Sequence, residues 1–230
     1  MVSKERVLSY KTFNHQFVTV PKLEQITAPD GKRVYQVPGG QRYSSVTTFL
    51  HELPNKALTA WKKNMGIEKV QAVSRATTKR GKSLHSTLEG YIQNQLEEPQ
   101  DALTKHLFNQ VLTTINGIDN VRLIEKSLYS HKLRLAGTPD VIADYSDCLS
   151  VIDFKTSTEF KKENWITGYY CQAGAYSVMY EELFGQRPQK CVIIVAIENG
   201  NIPQVFQKSS DECFQMLKEY AHKLLEFRKK

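Results

Sequence analysis

Cysteine is scarce in this sequence and widely spaced. The cysteines are Cys148, Cys171, Cys191 and Cys213, each at least 20 positions from the next, so no CxxC pair is present. Zinc ribbons and local iron–sulfur runs are built from closely spaced thiolates, so this spacing argues against both kinds of site. We therefore expect reduced cysteines of the kind usual in intracellular proteins, and no iron–sulfur cluster.

Long hydrophobic runs, internal repeats and low-complexity linkers are also lacking. A membrane-spanning helix needs a run of roughly 18 apolar residues, and no stretch approaches that length. The first residues, MVSKERVLSYKTF, lack the apolar core of a secretory signal. These features predict a cytoplasmic protein (host cytoplasm for a viral source) without a membrane partner.

Positively charged residues outnumber negatively charged ones in this sequence. Lysine and arginine total 31 against 24 aspartate and glutamate, which gives a formal net charge of +7. A basic surplus of this size favours a polyanionic partner such as nucleic acid, because positive surface attracts phosphates over a distance. The alternative is a merely basic soluble protein, and charge alone does not decide between them.

The pattern of apolar and turn-forming residues divides the chain into three predicted segments. Residues 1–44 contain short apolar runs between turn signals, which is typical of short strands or an arm. Residues 45–116 are helical in pattern and form a predicted helical lobe, with helices over 82–96 and 101–115. Residues 117–230 alternate strands and helices and form the predicted core. The strands are predicted at 121–129, 133–136, 141–144, 150–154, 191–197 and 202–206, and the helices at 164–184 and 211–228.

This order of elements predicts an α/β class, with a mixed central sheet flanked by helices and an N-terminal helical lobe. The segment at 136–158, AGTPDVIADYSDCLSVIDFKTST, carries the most informative charges. Side chains alternate between the two faces of a strand, so Asp153 and Lys155 share one face. A hairpin would bring Asp140 against Asp153, and two converging carboxylates favour a hard cation between them. The alternative is a turn aspartate beside a surface ion pair.

These residues resemble the PD-(D/E)xK nuclease signature, with Pro139-Asp140 followed by Asp153-Phe154-Lys155. The match is closest to the RecB-like branch. Upstream, Gly81 to His85 resembles the G-x-x-x-H helix of that branch, and downstream Gln172 to Tyr176 resembles its Q-x-x-x-Y helix. The segment YSSVTT at 43–48, followed by Trp61-Lys62-Lys63, also resembles phage exonucleases and the mitochondrial genome maintenance exonucleases.

The resemblance implies a restriction-endonuclease-like core and hydrolysis of DNA phosphodiester bonds with Mg²⁺ or Mn²⁺. It implies that Lys155, Asp153 and Asp140 are catalytic, with Lys155 orienting or activating a water. The implied metal ligands are His85, Asp140, Asp153 and the backbone carbonyl of Phe154. The related exonucleases imply a preference for single-stranded DNA ends and a setting in replication, recombination or repair, with a possible partner protein from these processes.

Three further residues are assigned supporting parts, and each has an alternative. Glu125 lies on the predicted strand that precedes Asp140, and it either approaches the metal through a water or only flanks the sheet edge. Gln172 and Tyr176 lie four apart on one helix face, where they either contact DNA or water or pack against the sheet. His85 is predicted to bind metal, with a satisfied core histidine as the alternative.

The helical lobe is predicted to contact nucleic acid through Lys62, Lys63, Arg80 and Lys82, while Trp61 is expected to be buried in the core. A solvated basic face is the alternative. Three other functions remain open: a Cas4-like nuclease, an endonuclease, and a catalytically silent DNA-binding subunit. The motif does not distinguish deoxyribose from ribose, so RNA is an alternative substrate.

Overall fold

The computed structural model describes residues 10–229, apart from the side chains at 56 and 57. Residues 1–9 of the predicted N-terminal arm and Lys230 lie outside the described residues. The chain forms ten strands, six α-helices and one 3₁₀ turn within the described part. The strands are β1 Glu24–Thr27, β2 Arg33–Gln36, β3 Arg42–Ser45, β4 Ile118–Ile124, β5 Leu128–Ser130, β6 Leu135–Gly137, β7 Val141–Tyr145, β8 Cys148–Ser157, β9 Lys190–Ile197 and β10 Gln204–Ser209. The helices are α1 Val46–Leu50, α2 Lys56–Met65, α3 Ile67–Ile92, α4 Ala102–Ile115, α5 Thr167–Phe184 and α6 Ser210–Arg228, and the 3₁₀ turn is Glu163–Trp165.

The central sheet has the strand order β10-β9-β8-β7-β4 and is mixed. Strands β8 and β9 run parallel, while the other neighbours pair antiparallel. Strand β9 is buried over seven of its eight residues, as its continuous apolar run CVIIVAI predicts for a strand covered on both faces. Helices cover both faces of this sheet, which confirms the predicted α/β class and is consistent with a restriction-endonuclease-like core.

Alternation along β8 distributes its side chains between two hydrophobic cores. Ile152 and Phe154 pack in the core formed with α3 and α4, whereas Val151 packs in the core formed with α5 and α6. Asp153 and Lys155 lie two and four positions after Val151, so their side chains are on the same face of the strand as Val151 and point towards α5. The predicted division of the two faces is therefore confirmed.

A second sheet, with the order β1-β2-β3-β6-β5, joins the N-terminal strands to the core segment. Strand β3 pairs parallel with β6, with Ser44 opposite Leu135. Ser44 lies before the predicted boundary at 44/45 and Leu135 lies after the predicted boundary at 116/117, so this pairing joins the first predicted segment to the third. The division into three domains stays a prediction, with a shared sheet linking the first segment to the third.

Three details of the sequence interpretation were wrong. The strand predicted at 121–129 is two strands in different sheets, β4 and β5, because the chain turns at Glu125. The helix predicted from residue 82 begins fifteen residues earlier, at Ile67. Trp61 on α2 is 37% exposed rather than buried. None of the described helices is both long and apolar enough to cross a membrane.

Candidate active site

The β7–β8 hairpin holds the two aspartates side by side. Val141 pairs with Ile152, so the register continues to Asp140 and Asp153 at the open end of the hairpin. Asp140 Oδ2 accepts a hydrogen bond from the backbone N–H of Phe154 at 2.7 Å. Asp140 is 9% exposed and Asp153 only 1%. The expected hairpin is present, and its hydrogen bond fixes one carboxylate oxygen of Asp140.

His85 reaches this hairpin from the last third of α3. Its Nδ1 lies 3.6 Å from Asp140 Oδ1 and 3.9 Å from Glu125 Oε1, and its Nε2 donates to the Phe154 carbonyl at 2.8 Å. One ligand atom from each of His85, Glu125 and Asp140 lies within 4.8 Å of the other two. Two carboxylates and an imidazole at this spacing form a candidate site for a divalent cation.

Glu125 enters the site through an unusual backbone conformation. Its φ is 47°, in the left-handed region that side chains other than glycine rarely adopt. Its N–H donates to the Asp140 carbonyl at 3.0 Å, at the point where the chain leaves β4 for β5. Strained residues of this kind cluster at functional sites, where the surrounding structure maintains them. The turn thus explains why Glu125 faces His85 rather than the outer edge of the sheet.

The charge on His85 depends on its acidic neighbours. Burial alone disfavours the imidazolium, but the carboxylates of Asp140 and Glu125 outweigh it and raise the pKa of His85 to about 9. The site therefore favours a positive charge between these three residues. A divalent cation supplies such a charge, and it binds the neutral imidazole, so its binding releases the proton.

Asp153 and Lys155 form an ion pair on the α5 side of the sheet. Burial raises the pKa of Asp153, against the opposing effect of Lys155. Burial disfavours the charge of Lys155 too, but Asp153 and Asp140 outweigh it and raise its pKa above the ordinary value. The lysine is therefore an ammonium at neutral pH. Asp153 contacts this ammonium and lies outside the triad of His85, Glu125 and Asp140.

One face of α5 covers the ion pair. Gln172 Nε2 donates to Asp153 Oδ1 at 3.3 Å and lies 3.4 Å from the Tyr176 hydroxyl. The Tyr176 ring lies against Gly137, where an added Cβ would come within 2.9 Å of the ring. Gln172 thus contacts an acidic residue of the site, and Tyr176 packs against the segment before Asp140.

Tyr169 belongs to the same face and was missed in the sequence interpretation. The Lys155 Nζ lies 5.2 Å from the centroid of its ring, and burial raises the pKa of its hydroxyl. The sequence did hold a signal, because Tyr169 precedes Gln172 by three positions and Tyr176 by seven. These spacings place the three side chains along one helical stripe.

The four side chains predicted to contact nucleic acid differ in their exposure to solvent. Lys62, Lys63 and Lys82 are exposed on α2 and α3. Arg80 donates to Thr158 Oγ1 at 3.1 Å and forms an ion pair with Glu198, and its side chain is only 8% exposed. Arg80 thus connects α3 to the ends of β8 and β9, which favours a structural role for this residue.

Two curated proteins of the same name are weakly similar to this chain. Mitochondrial genome maintenance exonuclease 1 of Xenopus tropicalis is 27% identical over 188 residues, which cover 75% of this chain and 52% of the relative. The protein of the same name from Homo sapiens is 26% identical over 202 residues, which cover 81% and 58%. The chain spans about half the length of these relatives, and no family model matches it. This weak similarity supports a place in a nuclease family.

Proposed function

We propose that this chain is a metal-dependent deoxyribonuclease of the PD-(D/E)xK type that removes nucleotides from single-stranded DNA ends. The observation that carries the proposal is the convergence of His85, Glu125 and Asp140 beside the Asp153–Lys155 ion pair. The two relatives are named as exonucleases, which supports a nuclease and favours the exonucleolytic form. The formal net charge of +7 fits a polyanionic substrate.

The donor set fits Mg²⁺ or Mn²⁺. Carboxylate and carbonyl oxygens are the ligands these ions prefer, and a neutral imidazole is the commonest metal ligand among side chains. Asp140, Glu125 and His85 would hold the ion, with the Phe154 carbonyl and Asp153 at the edge of the same cluster. Such an ion neutralises charge on a phosphate and lowers the pKa of a bound water.

Lys155 acts as a donor rather than a base in this arrangement. Its ammonium is stabilised by Asp153 and Asp140, so it keeps its protons at neutral pH and can donate to a water or a phosphate oxygen. A fixed positive charge at this position stabilises the negative charge that develops when water attacks phosphorus. The water oxygen would bond to phosphorus and release its proton to solvent, while the scissile P–O bond breaks and the leaving oxygen takes a proton from solvent. Gln172 holds Asp153 in place for this pairing.

A cleavage assay on three DNA topologies tests the proposal. The protein and a Lys155→Ala variant are incubated with end-labelled single-stranded, duplex and circular DNA, each with Mg²⁺, with Mn²⁺ and with chelator. We expect metal-dependent loss of linear single strands, with circles spared and activity abolished in the variant. Lys223→Ala, which removes an exposed lysine from α6, is the matched control and should cleave normally.

The other outcomes separate the alternatives. Cleavage of circles keeps the site and replaces the exonuclease by an endonuclease. In a parallel reaction with an RNA strand of the same sequence, preferential loss of the RNA would make RNA the substrate. Iron in the purified protein would favour a Cas4-like enzyme. DNA binding without cleavage under either metal would contradict the enzyme and favour a silent DNA-binding subunit.

A further inference from the structure

An exposed tryptophan, Trp165, lies just before α5, the helix that carries Tyr169, Gln172 and Tyr176. Trp165 lies two positions before the first residue of α5 and four positions before Tyr169. It is the last residue of the 3₁₀ turn that leads directly into α5. Tyr169, on the first turn of α5, contacts Lys155 of the site. Trp165 therefore lies at the N-terminal end of α5, within four residues of a side chain that contacts the site.

The surroundings of Trp165 combine aromatic surface with positive charge. Trp165 is 60% exposed and Phe160 is 48% exposed. Lys162 Nζ lies 5.6 Å from the centroid of the Trp165 ring, and Lys161 is adjacent to it in sequence. Paired aromatic and basic side chains are the elements with which proteins hold single-stranded nucleic acid, by stacking on bases and by neutralising phosphates.

Acidic residues in this segment are already engaged elsewhere. Glu163 pairs with Lys208 at 2.8 Å, and Glu159 accepts a hydrogen bond from Asn199 at 2.6 Å. Lys162, by contrast, contacts an aromatic ring. The charge in contact with the Trp165 ring is therefore positive, which is complementary to a phosphate backbone.

The segment is fixed in position by the sheet. Gln204 on β10 accepts from the Lys161 N–H at 2.6 Å and donates to the Lys161 carbonyl at 2.9 Å. Ile166, immediately after Trp165, is fully buried. A preorganised surface of this kind loses little conformational entropy when a ligand binds.

We propose that Trp165 and Lys162 form a stacking platform for a base of the single strand that enters the site, with Lys161 and Lys162 contacting its phosphates. The inference rests on the proposed nuclease function and adds a substrate-binding position outside the predicted Lys62, Lys63 and Lys82. Every base offers a π face, so the platform should bind single strands with little sequence preference.

Tryptophan fluorescence provides a direct test, because the chain has only two tryptophans. In a Trp61→Phe background, the emission of Trp165 is followed during titration with a short oligothymidylate in chelator, where cleavage cannot occur. We expect quenching on binding. A Trp165→Ala variant should bind roughly tenfold more weakly, and Trp165→Phe should recover most of that loss.

Two controls separate stacking from a general loss of binding. An oligonucleotide of abasic nucleotides keeps the phosphates and removes the bases. The wild type should bind it more weakly than it binds the oligothymidylate, and Trp165→Ala should bind it about as tightly as the wild type does. Lys162→Ala should reduce the slope of log affinity against log salt by about one. Phe227→Ala removes another exposed aromatic residue, on the last turn of α6, and should leave both measurements unchanged.

The results distinguish this inference from the nuclease proposal. Cleavage by the wild type without quenching of Trp165, and with normal binding by Trp165→Ala, would overturn the platform and leave the nuclease intact. Quenching without cleavage in any metal would support the platform and contradict the nuclease.

Discussion

The side-chain amide of Gln172 on α5 donates a hydrogen bond to Asp153 Oδ1 on β8 at 3.3 Å. The other oxygen of this carboxylate contacts the ammonium of Lys155. Asp153 is almost completely buried, so its orientation depends on these two neighbours rather than on water. Helix α5 therefore acts on the site through Gln172, which fixes a carboxylate and through it the position of Lys155.

Replacing Gln172 by alanine should slow cleavage more than it weakens DNA binding. The loss of a residue that orients an acidic group in a metal site typically costs about 10- to 100-fold in activity or metal affinity. We expect kcat to fall within this range while KM for single-stranded DNA changes little. Gln215→Ala, an exposed glutamine on α6, is the matched control. A thermal midpoint that falls in proportion to activity would instead indicate a merely structural part.

Gly137 should tolerate no side chain. A Cβ at this position would come within 2.9 Å of Tyr176 Cε1 and 3.0 Å of its hydroxyl, closer than ordinary contacts allow. Overpacking of this kind costs about 1–3 kcal/mol, so Gly137→Ala should lower the free energy of unfolding by that amount in denaturant titrations. The displaced ring should also disturb Gln172 and reduce cleavage.

The control for this prediction is Gly168→Ala on the first turn of α5. A Cβ there meets no atom within 4 Å, and alanine has a higher helix propensity than glycine. This variant should be as stable as the wild type or slightly more stable. Equal destabilisation by both substitutions would show that the Tyr176 contact is not the cause.

Stability of the metal-free protein should fall as the pH rises from 6.5 to 9. The pKa of His85 is about 9 in the folded protein against 6.5 ordinarily, so the folded state holds this proton more tightly than the unfolded chain. The stabilisation of the folded state by this proton is fully present below pH 6.5 and is lost as the pH rises through 9. With chelator present, the free energy of unfolding should decline by up to about 1.4 kcal/mol per pH unit within this window.

His85→Gln should remove most of this pH dependence, whereas His222→Gln, which replaces an exposed histidine on α6, should retain it. Mg²⁺ or Mn²⁺ should oppose the decline, because metal binding requires the neutral imidazole and strengthens as the pH rises. An unchanged slope in His85→Gln would show that the acidic neighbours do not hold the imidazolium.

Strand alternation was sufficient to predict the two faces of β8, and the succession of two short strands suggested the hairpin that joins Asp140 to Asp153. The period of two depends only on backbone geometry, and it placed Ile152 and Phe154 opposite Asp153 correctly. The Gln172–Asp153 contact was not predictable in the same way. It requires α5 to lie on one particular face of the sheet, which no local pattern specifies.

The errors arose where tertiary contacts override local pattern. Apolar residues stand at Val121, Leu123, Ile124 and Leu128, with no glycine, asparagine or proline between them, so the sequence was interpreted as one strand. Glu125 nevertheless adopts a positive φ, which glycine or asparagine normally signals. Trp61 was expected to be buried because large aromatic residues usually are. It lies on α2, whose neighbouring Leu58 is also exposed, and propensity does not reveal that a helix projects from the core.

Arg80 and Lys82 lie two positions apart on α3, and their substitution should affect different properties. Arg80 pairs with Glu198 while its side chain is 8% exposed, so Arg80→Ala should lower the free energy of unfolding by about 1–3 kcal/mol. Lys82 is exposed, so Lys82→Ala should leave stability within about 0.5 kcal/mol of the wild type. The same Lys82 substitution should reduce the salt dependence of DNA affinity by about one unit of slope. Denaturant titration and a salt series of DNA binding measure both quantities, and a loss of DNA affinity in a fully stable Arg80→Ala protein would assign Arg80 to the DNA surface instead.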